Sequence, residues 1–556
     1  MSLLTSTPQQ ADWTPWPADM AAHYKALGYW RGEPLWRLLA DSALRHPGQT
    51  ALVCGARRWS YLRLDEWARQ LAGGLWQLGI QPGDHVVLQL PNVAEFLAAC
   101  FALWRVGARP VMALPGHRHA EMAYFCAHTG ATAAIVADTG PHGFDHVAML
   151  GRIKAQTPSL KHVIVVQTHG GNRSERDDAI SFASLAEHPP VPASHDHVDA
   201  STLALLQLSG GTTGLPKLIP RTHDDYAYSV RASADICQFS TDTVYLAVLP
   251  LAHNFPLSSP GTLGVLYAGG TVVLCQHGDP GTVFPLIAKE GVTHTAVVPP
   301  LAQAWLNAPE SVRAQGRGLQ WMQVGGARLS PDVAQRIVTE MGCRLQQVFG
   351  MAEGLVNYTR QDDAPETIIS TQGRPISPDD ELLVVDDHDV PVPNGVPGHL
   401  LARGPYTIRG YFRADEHNAR AFSTDGFYRT GDVVRVLESG HIVVEGRAKD
   451  QINRGGEKIP AQEVETHLLA HPFVLDAALV AVPDQHLGER SCAVLVCPSD
   501  RPSRRALVSF LKDRGLSIYK YPDRYEFVDQ LPKTNVGKID KRALRQWLDN
   551  TPPTAP

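Results

Sequence analysis

From about Leu35 to Leu114, apolar positions recur at helical spacing in LDEWARQLAGGLWQLG and form short unbroken runs in HVVLQL and RPVMAL, each run closed by proline or glycine. That alternation predicts βα units. It returns at AAIVAD, HVIVVQ, TVVLCQ and HTAVVPP, so the pattern predicts a large α/β domain with mainly parallel sheets. After about Ser370 the texture shifts to shorter strands and turns, as in ELLVVDDHDVPVPNGVPGHLLARG, which predicts a small β-rich subdomain. From about Asp450 an amphipathic helix (AQEVETHLLAH), strands (DAALVAVPD, CAVLVCP), a second helix (RALVSFLKDRG) and a glycine-lysine tail predict a separate α+β domain.

Length agrees with that division, since 556 residues exceed what one hydrophobic core usually supports. With 44% apolar and 19% charged residues, the chain should fold as an ordinary globular protein. Its 50 basic and 56 acidic side chains give a net charge of -6 and form no long basic block, so nucleic acid is not an expected partner. The eight cysteines are scattered, without a CxxC pair or His/Cys ligand spacing, which fits reduced thiols in cytosol. The first twenty residues lack a basic segment followed by an apolar one, and no stretch reaches the roughly 20 apolar residues that span a bilayer. A cytoplasmic protein without a membrane segment is expected.

The most informative stretch is LLQLSGGTTGLPKLIPRTH, residues 205 to 223. An apolar strand runs directly into a loop of small and hydroxyl residues ending in lysine. Gly210, Gly211 and Gly214 permit close backbone approach, Ser209, Thr212 and Thr213 add hydroxyl donors, and Lys217 adds charge or holds the loop. A phosphate fits such a loop. The Walker A pattern does not, because Pro216 precedes Lys217 and Leu218 follows it. Taken alone, the loop is also compatible with a glycine-rich hairpin that binds nothing.

The loop resembles the phosphate-binding motif of the adenylate-forming superfamily, which includes acyl-CoA synthetases, luciferases and peptide-synthetase adenylation domains. Other motifs follow in the family's order: FGMAEG (349 to 354) for adenine and magnesium, YRTGD (428 to 432) for ribose, GRAKDQINRGGEKIPAQEVE (446 to 465) for the hinge, and PKTNVGKIDK (532 to 541) for a catalytic lysine. The resemblance implies an α/β fold with a large N-terminal domain, residues 1 to 446, of two αβ-layered subdomains plus a β-rich subdomain at about 370 to 446. A linker at 447 to 448 then leads to a small mobile α+β domain, residues 449 to 556, hinged at Lys449.

It further implies that a carboxylate attacks the α-phosphate of ATP with Mg2+ present, where oriented donors and positive groups must offset growing negative charge. Lys538 matches the lysine that bridges acid and α-phosphate. Glu353 matches the magnesium-associated carboxylate, and Thr213 is a second metal-side candidate. Asp432 and Arg447 match ribose or phosphate contacts, and Gly326, Ala327, Val348, Gly350, Met351 and Ala352 match the nucleotide pocket. After adenylation the C-terminal domain is expected to rotate about Lys449, bringing Gly455, Gly456 and Lys458 to the incoming thiol.

PLAHNFPLSSPG, residues 250 to 261, resembles the acid-pocket motif of siderophore aryl-acid ligases, which activate 2,3-dihydroxybenzoate or salicylate. By that likeness His253 lies beside the phosphates, and Asn254, Phe255, Ser259, Gly325, Val348 and Val356 line the acid site. Ser259 and Val356 match the dihydroxybenzoate type; Phe255 departs from it toward salicylate. The implied partner is the phosphopantetheine of an aryl carrier protein. A free aryl-CoA ligase and a non-catalytic nucleotide-binding protein on the same fold are the alternatives.

Overall fold

The computed structural model describes residues 12–140, 143–168, 179–191, 197–209, 216–326, 328–329, 331–447, 451–497, 501–532, 539 and 541–549. The predicted βα alternation builds two large sheets. One has seven strands in the spatial order 179–181, 162–166, 133–137, 85–89, 109–112, 203–208 and 218–222. Its neighbours are parallel except for the last pair, the hairpin of Leu203–Leu208 with Leu218–Thr222. The other has nine strands, parallel from Thr50–Cys54 across to Arg344–Gly350 and antiparallel at both edges.

Helices fill the space between the sheets. Ala94–Arg105 is buried at every position, as a helix packed on all sides must be. Its one buried cation, Arg105, is matched by Asp65 at 2.9 Å. Helix His223–Ile236 starts on a reciprocal cap: Asp225 N donates to Thr222 Oγ1 at 3.1 Å while Thr222 N donates to Asp225 Oδ2 at 2.6 Å. A continuous core then joins Val86 and Ile135 of one sheet, through Leu97, Phe101, Tyr226 and Leu263, to Leu52, Tyr245 and Val272 of the other.

The β-rich segment is a four-stranded antiparallel sheet of Glu381–Val385, Gly398–Arg403, Tyr428–Val436 and Ile442–Arg447. The C-terminal part is a five-stranded sheet with helices Ala461–Leu469, Arg504–Asp513 and Lys541–Asp549. Four of its elements go beyond the sequence expectation. The hairpin Gln451–Arg454 and Glu457–Pro460 is too charged to read as strands. Arg524–Val528 carries too few apolar residues, and Lys541–Asp549 shows only Leu544 and Leu548 as a stripe. None of the described helices is long and apolar enough to cross a membrane.

Parallel strands of one sheet end together, so Ala247, Val297 and Gly325 hand their chains to loops on one side of the nine-stranded sheet, and Leu208 of the other sheet reaches the same cavity. Such a rim, outside the carboxyl ends of the strands, is where open α/β sheets bind ligands.

Candidate active site

At that rim lies a cavity of about 500 Å³. One end is mostly apolar, walled by Phe255, Val348 and Val356. Gly325 closes its side, because a Cβ there would sit 2.9 Å from the Val348 carbonyl and 3.2 Å from the Phe255 ring.

Two polar side chains face this apolar end. Asn254 begins the short helix Asn254–Ser258, and its Oδ1 accepts from Tyr226 Oη at 2.9 Å and Ser258 Oγ at 3.0 Å. With that oxygen occupied, Nδ2 turns to Ser259 Oγ at 3.3 Å. Tyr226 is itself held by Gln207 Nε2 at 3.2 Å. Ser258, not Ser259, returns its hydroxyl to local backbone, at the Asn254 carbonyl 3.1 Å away. Ser259 is buried and lines the cavity.

The other end is polar. Ser209 and Lys217 close the base of the glycine-rich loop reciprocally, Ser209 N donating to the Lys217 carbonyl at 2.9 Å and Lys217 N to Ser209 Oγ at 3.1 Å. The Lys217 ammonium stands 5.7 Å from the centre of the Tyr411 ring. Tyr411 Oη donates to Glu353 Oε1 at 2.8 Å, fixing a buried carboxylate that lines the cavity. Gly326, Gly350, Met351, Ala352 and Asp432 line it too, and Arg447 stands opposite Asp432 in the antiparallel ladder. Arg221 ties the two ends together, pairing with Asp225 at 2.6 Å, donating to the Ala352 carbonyl at 2.8 Å and lying over the Tyr226 ring.

The described residues hold no cluster of three metal-ligating side chains. One or two carboxylates suit Mg2+ carried on phosphate oxygens, because that ion keeps few protein ligands. Glu353, buried and lining the cavity, has that chemistry.

The C-terminal part closes over the cavity with the turn Gly455-Gly456. Gly456 packs against Val298, Asn453 Nδ2 donates to the Gly326 carbonyl at 3.3 Å, and Glu457 lies 3.9 Å from His253 Nε2. Burial pushes the Glu457 carboxyl up, but the neighbouring His253, with His117 and Lys520 behind it, outweighs that and holds the group below the usual range. Gly210, Gly211, Thr212, Thr213, Gly214, Ala327, Lys449 and Lys538 lie outside the described residues, and of Arg447 and Lys458 only the backbone is described. The sequence reading missed Gln207, Tyr226, Arg221, Tyr411 and Glu457. A polar Gln207 inside the buried run LLQL was the one available signal.

The AMP-binding enzyme model matches residues 39–412, and the AMP-binding enzyme C-terminal domain model matches 463–538. The chain belongs to the AMP-binding enzyme family. It is 54% identical to the 2,3-dihydroxybenzoate-AMP ligase of Bacillus subtilis (strain 168), over 96% of this chain and 97% of that protein. It is 50% identical to a salicylyl-CoA synthase / salicylate adenylyltransferase of a Streptomyces species, over 96% of each. Among solved structures, apo MbtA of Mycobacterium smegmatis is 45% identical with a TM-score of 0.74, covering 96% of this chain and 98% of that one. The chain is thus an adenylate-forming enzyme.

Proposed function

We propose that the protein adenylates 2,3-dihydroxybenzoate with ATP, releasing pyrophosphate, and then passes the aryl group to the phosphopantetheine thiol of an aryl carrier protein. The observation that carries the acid is the Asn254–Ser259 pair facing an otherwise apolar slot. A buried hydroxyl acceptor favours a ring that brings its own hydroxyl, since an acid lacking it leaves the site's polar group unpaired. The 54% identical dihydroxybenzoate ligase supports the same choice.

In this reading Asn254 orients the substrate's 2-hydroxyl or carboxylate, Phe255 packs on the ring, Gly325 keeps the space behind Phe255 free of a side chain, and Val348 and Val356 exclude water. His253 sits at the junction of acid and phosphate, Asp432 and Arg447 hold the ribose, and Gly326, Ala327, Gly350, Met351 and Ala352 pack around adenine. The loop from Ser209 to Lys217 takes the phosphates, and Lys538 offsets charge at the α-phosphate during attack. Mg2+, held by Glu353 and Thr213, supplies charge neutralisation on the phosphate oxygens. Lys449 is the hinge between this step and transfer, in which Gly455, Gly456 and Lys458 face the thiol.

Phe255 favours a second reading, salicylate as the acid, and the 50% identical salicylate relative accompanies it. Pyrophosphate exchange with both acids decides between them. The expected result is a higher kcat/KM for 2,3-dihydroxybenzoate, and a clear salicylate preference would overturn the assignment. Transfer assayed on a holo aryl carrier protein against coenzyme A tests the acceptor, with faster loading of the carrier expected.

A further inference from the structure

At the border of the cavity, beside Tyr519, one ion pair joins the N-terminal part to the C-terminal part out of contact with water. Glu121, on the helix His119–Thr129, and Lys520, on the turn Ile518–Lys520, are both essentially fully buried and meet at 2.9 Å. Glu121 Oε1 also accepts from Ser517 Oγ at 2.8 Å, while Oε2 accepts from Arg118 N at 3.0 Å within its own helix start. One carboxylate oxygen thus belongs to each side of the interface. Such a pair discriminates between arrangements: it is satisfied only when both parts are in register, and any other docking leaves its groups mispaired or hydrated.

The register is passed on. Three residues beyond Lys520, Asp523 takes Arg454 Nη2 at 2.7 Å and Nε at 2.8 Å, and it also accepts from Ser491 N at 3.0 Å. Arg454 is the residue immediately before Gly455-Gly456. Two ion pairs, Glu121–Lys520 and Asp523–Arg454, are therefore joined by the short backbone stretch from Lys520 to Asp523 and end at the turn that stands at the cavity beside Val298.

We propose that Glu121 and Lys520 are positioning residues for the second half-reaction, latching the C-terminal part in the arrangement that presents Gly455-Gly456 to the cavity. The proposal rests on the reading that this enzyme transfers its aryl group to a thiol after adenylation. The acid end and Glu353 are held by other side chains, Asn254 by Tyr226 and Ser258 and Glu353 by Tyr411, so the latch is expected to act on transfer and to leave adenylation near its wild-type rate.

The test uses the full chain carrying Lys520→Met, Glu121→Gln or both, with Ser517→Ala as a milder variant that removes one hydrogen bond from the same carboxylate. Pyrophosphate exchange reports adenylation, and single-turnover transfer from preformed aryl-adenylate to a holo carrier protein and to coenzyme A reports the second step. Transfer should fall about tenfold or more in each single substitution of the pair, less in Ser517→Ala, with exchange within about twofold of wild type. The double variant should be no worse than the poorer single one, as expected of two residues acting as a unit. Equal loss in both half-reactions, or undiminished transfer, overturns the latch. Wild-type protein that exchanges pyrophosphate but loads neither thiol overturns the thiol-transfer reading, and the latch with it.

Discussion

Tyr226 Oη donates to Asn254 Oδ1 at 2.9 Å, so the Asn254 amide that faces the acid slot is oriented by a residue that lies behind it, on the buried helix His223–Ile236. The tyrosine ring is also the platform for Arg221, which reaches the Ala352 carbonyl at the nucleotide end. Tyr226→Phe keeps that platform and removes only the hydroxyl. Gln207 Nε2 and Asn254 Oδ1 then each lose a partner, a change of about 1–3 kcal/mol for buried polar groups. The expected outcome in pyrophosphate exchange is a kcat/KM for the acid lowered about tenfold, with the KM for ATP little altered.

Ser259 separates the two candidate acids. Cysteine in its place keeps the side-chain shape at a slightly larger size and replaces a strong acceptor by a weak one. Ser259→Cys should lower kcat/KM for 2,3-dihydroxybenzoate about tenfold while changing that for salicylate by less than about threefold. Exchange kinetics with the two acids check this; equal loss with both acids would exclude a selective contact.

Glu353 is oriented by Tyr411, whose hydroxyl also meets Tyr428 Oη at 2.9 Å. Burial and then the Glu353 charge push the Tyr411 phenol well above its usual range, so it stays a donor at any working pH. Tyr411→Phe should raise the Mg2+ concentration for half-maximal exchange several-fold, because the carboxylate loses a charge-assisted hydrogen bond of about 1.5–3 kcal/mol. The KM for the acid should not move. Magnesium titration of both proteins distinguishes this from a general loss of activity.

Asp380 braces the wall of the acid slot: it accepts from Tyr406 Oη at 2.6 Å, and Tyr406 Oη accepts from Val356 N at 3.1 Å. Burial pushes the Asp380 carboxyl up to about 7. The folded protein therefore holds this proton over a range where the unfolded chain, titrating near 3.8, has lost it. Stability from this group is present below the unfolded value and is lost as pH rises through about 7. Asp380→Asn, which mimics the protonated form, should flatten the decline in Tm between about pH 4 and pH 7. Thermal unfolding across that window checks the sign; a steeper decline in the variant would refute it.

Whether a residue was legible in the sequence depended on how locally its surroundings are assembled. Asn254 and Ser259 fall within one stretch, and the glycine-rich loop follows directly from the strand Leu203–Leu208. A single sequence displays both. Tyr226 and Gln207 reach Asn254 from an earlier helix and strand that the fold brings together, and nothing in a buried tyrosine's neighbourhood along the chain announces its partner. The same holds more strongly for Glu121 and Lys520, which are 399 residues apart. Apolar periodicity revealed the parallel strands because they are buried on both faces. It failed for Gln451–Arg454 and Glu457–Pro460, whose side chains are mostly polar and whose ladder is set by the turn at Gly455-Gly456.

That turn gives the sharpest separation of the two half-reactions. Gly456 has φ +90°, a region open to glycine and strained for any L side chain, and a Cβ there would lie 3.0 Å from Val298 Cγ1. Gly456→Ala should therefore push the turn away from Val298 and narrow or misplace the approach of a thiol. The acid slot and Glu353 are built from other elements, so adenylation should persist. Single-turnover transfer is expected to fall at least tenfold, with pyrophosphate exchange within about twofold, since backbone strain at such a position costs on the order of 1–3 kcal/mol. Adding Val298→Ala relieves the contact but not the φ, so transfer should recover only in part. Full recovery would assign the effect to crowding alone, and loss of exchange in Gly456→Ala would show that the turn serves adenylation as well.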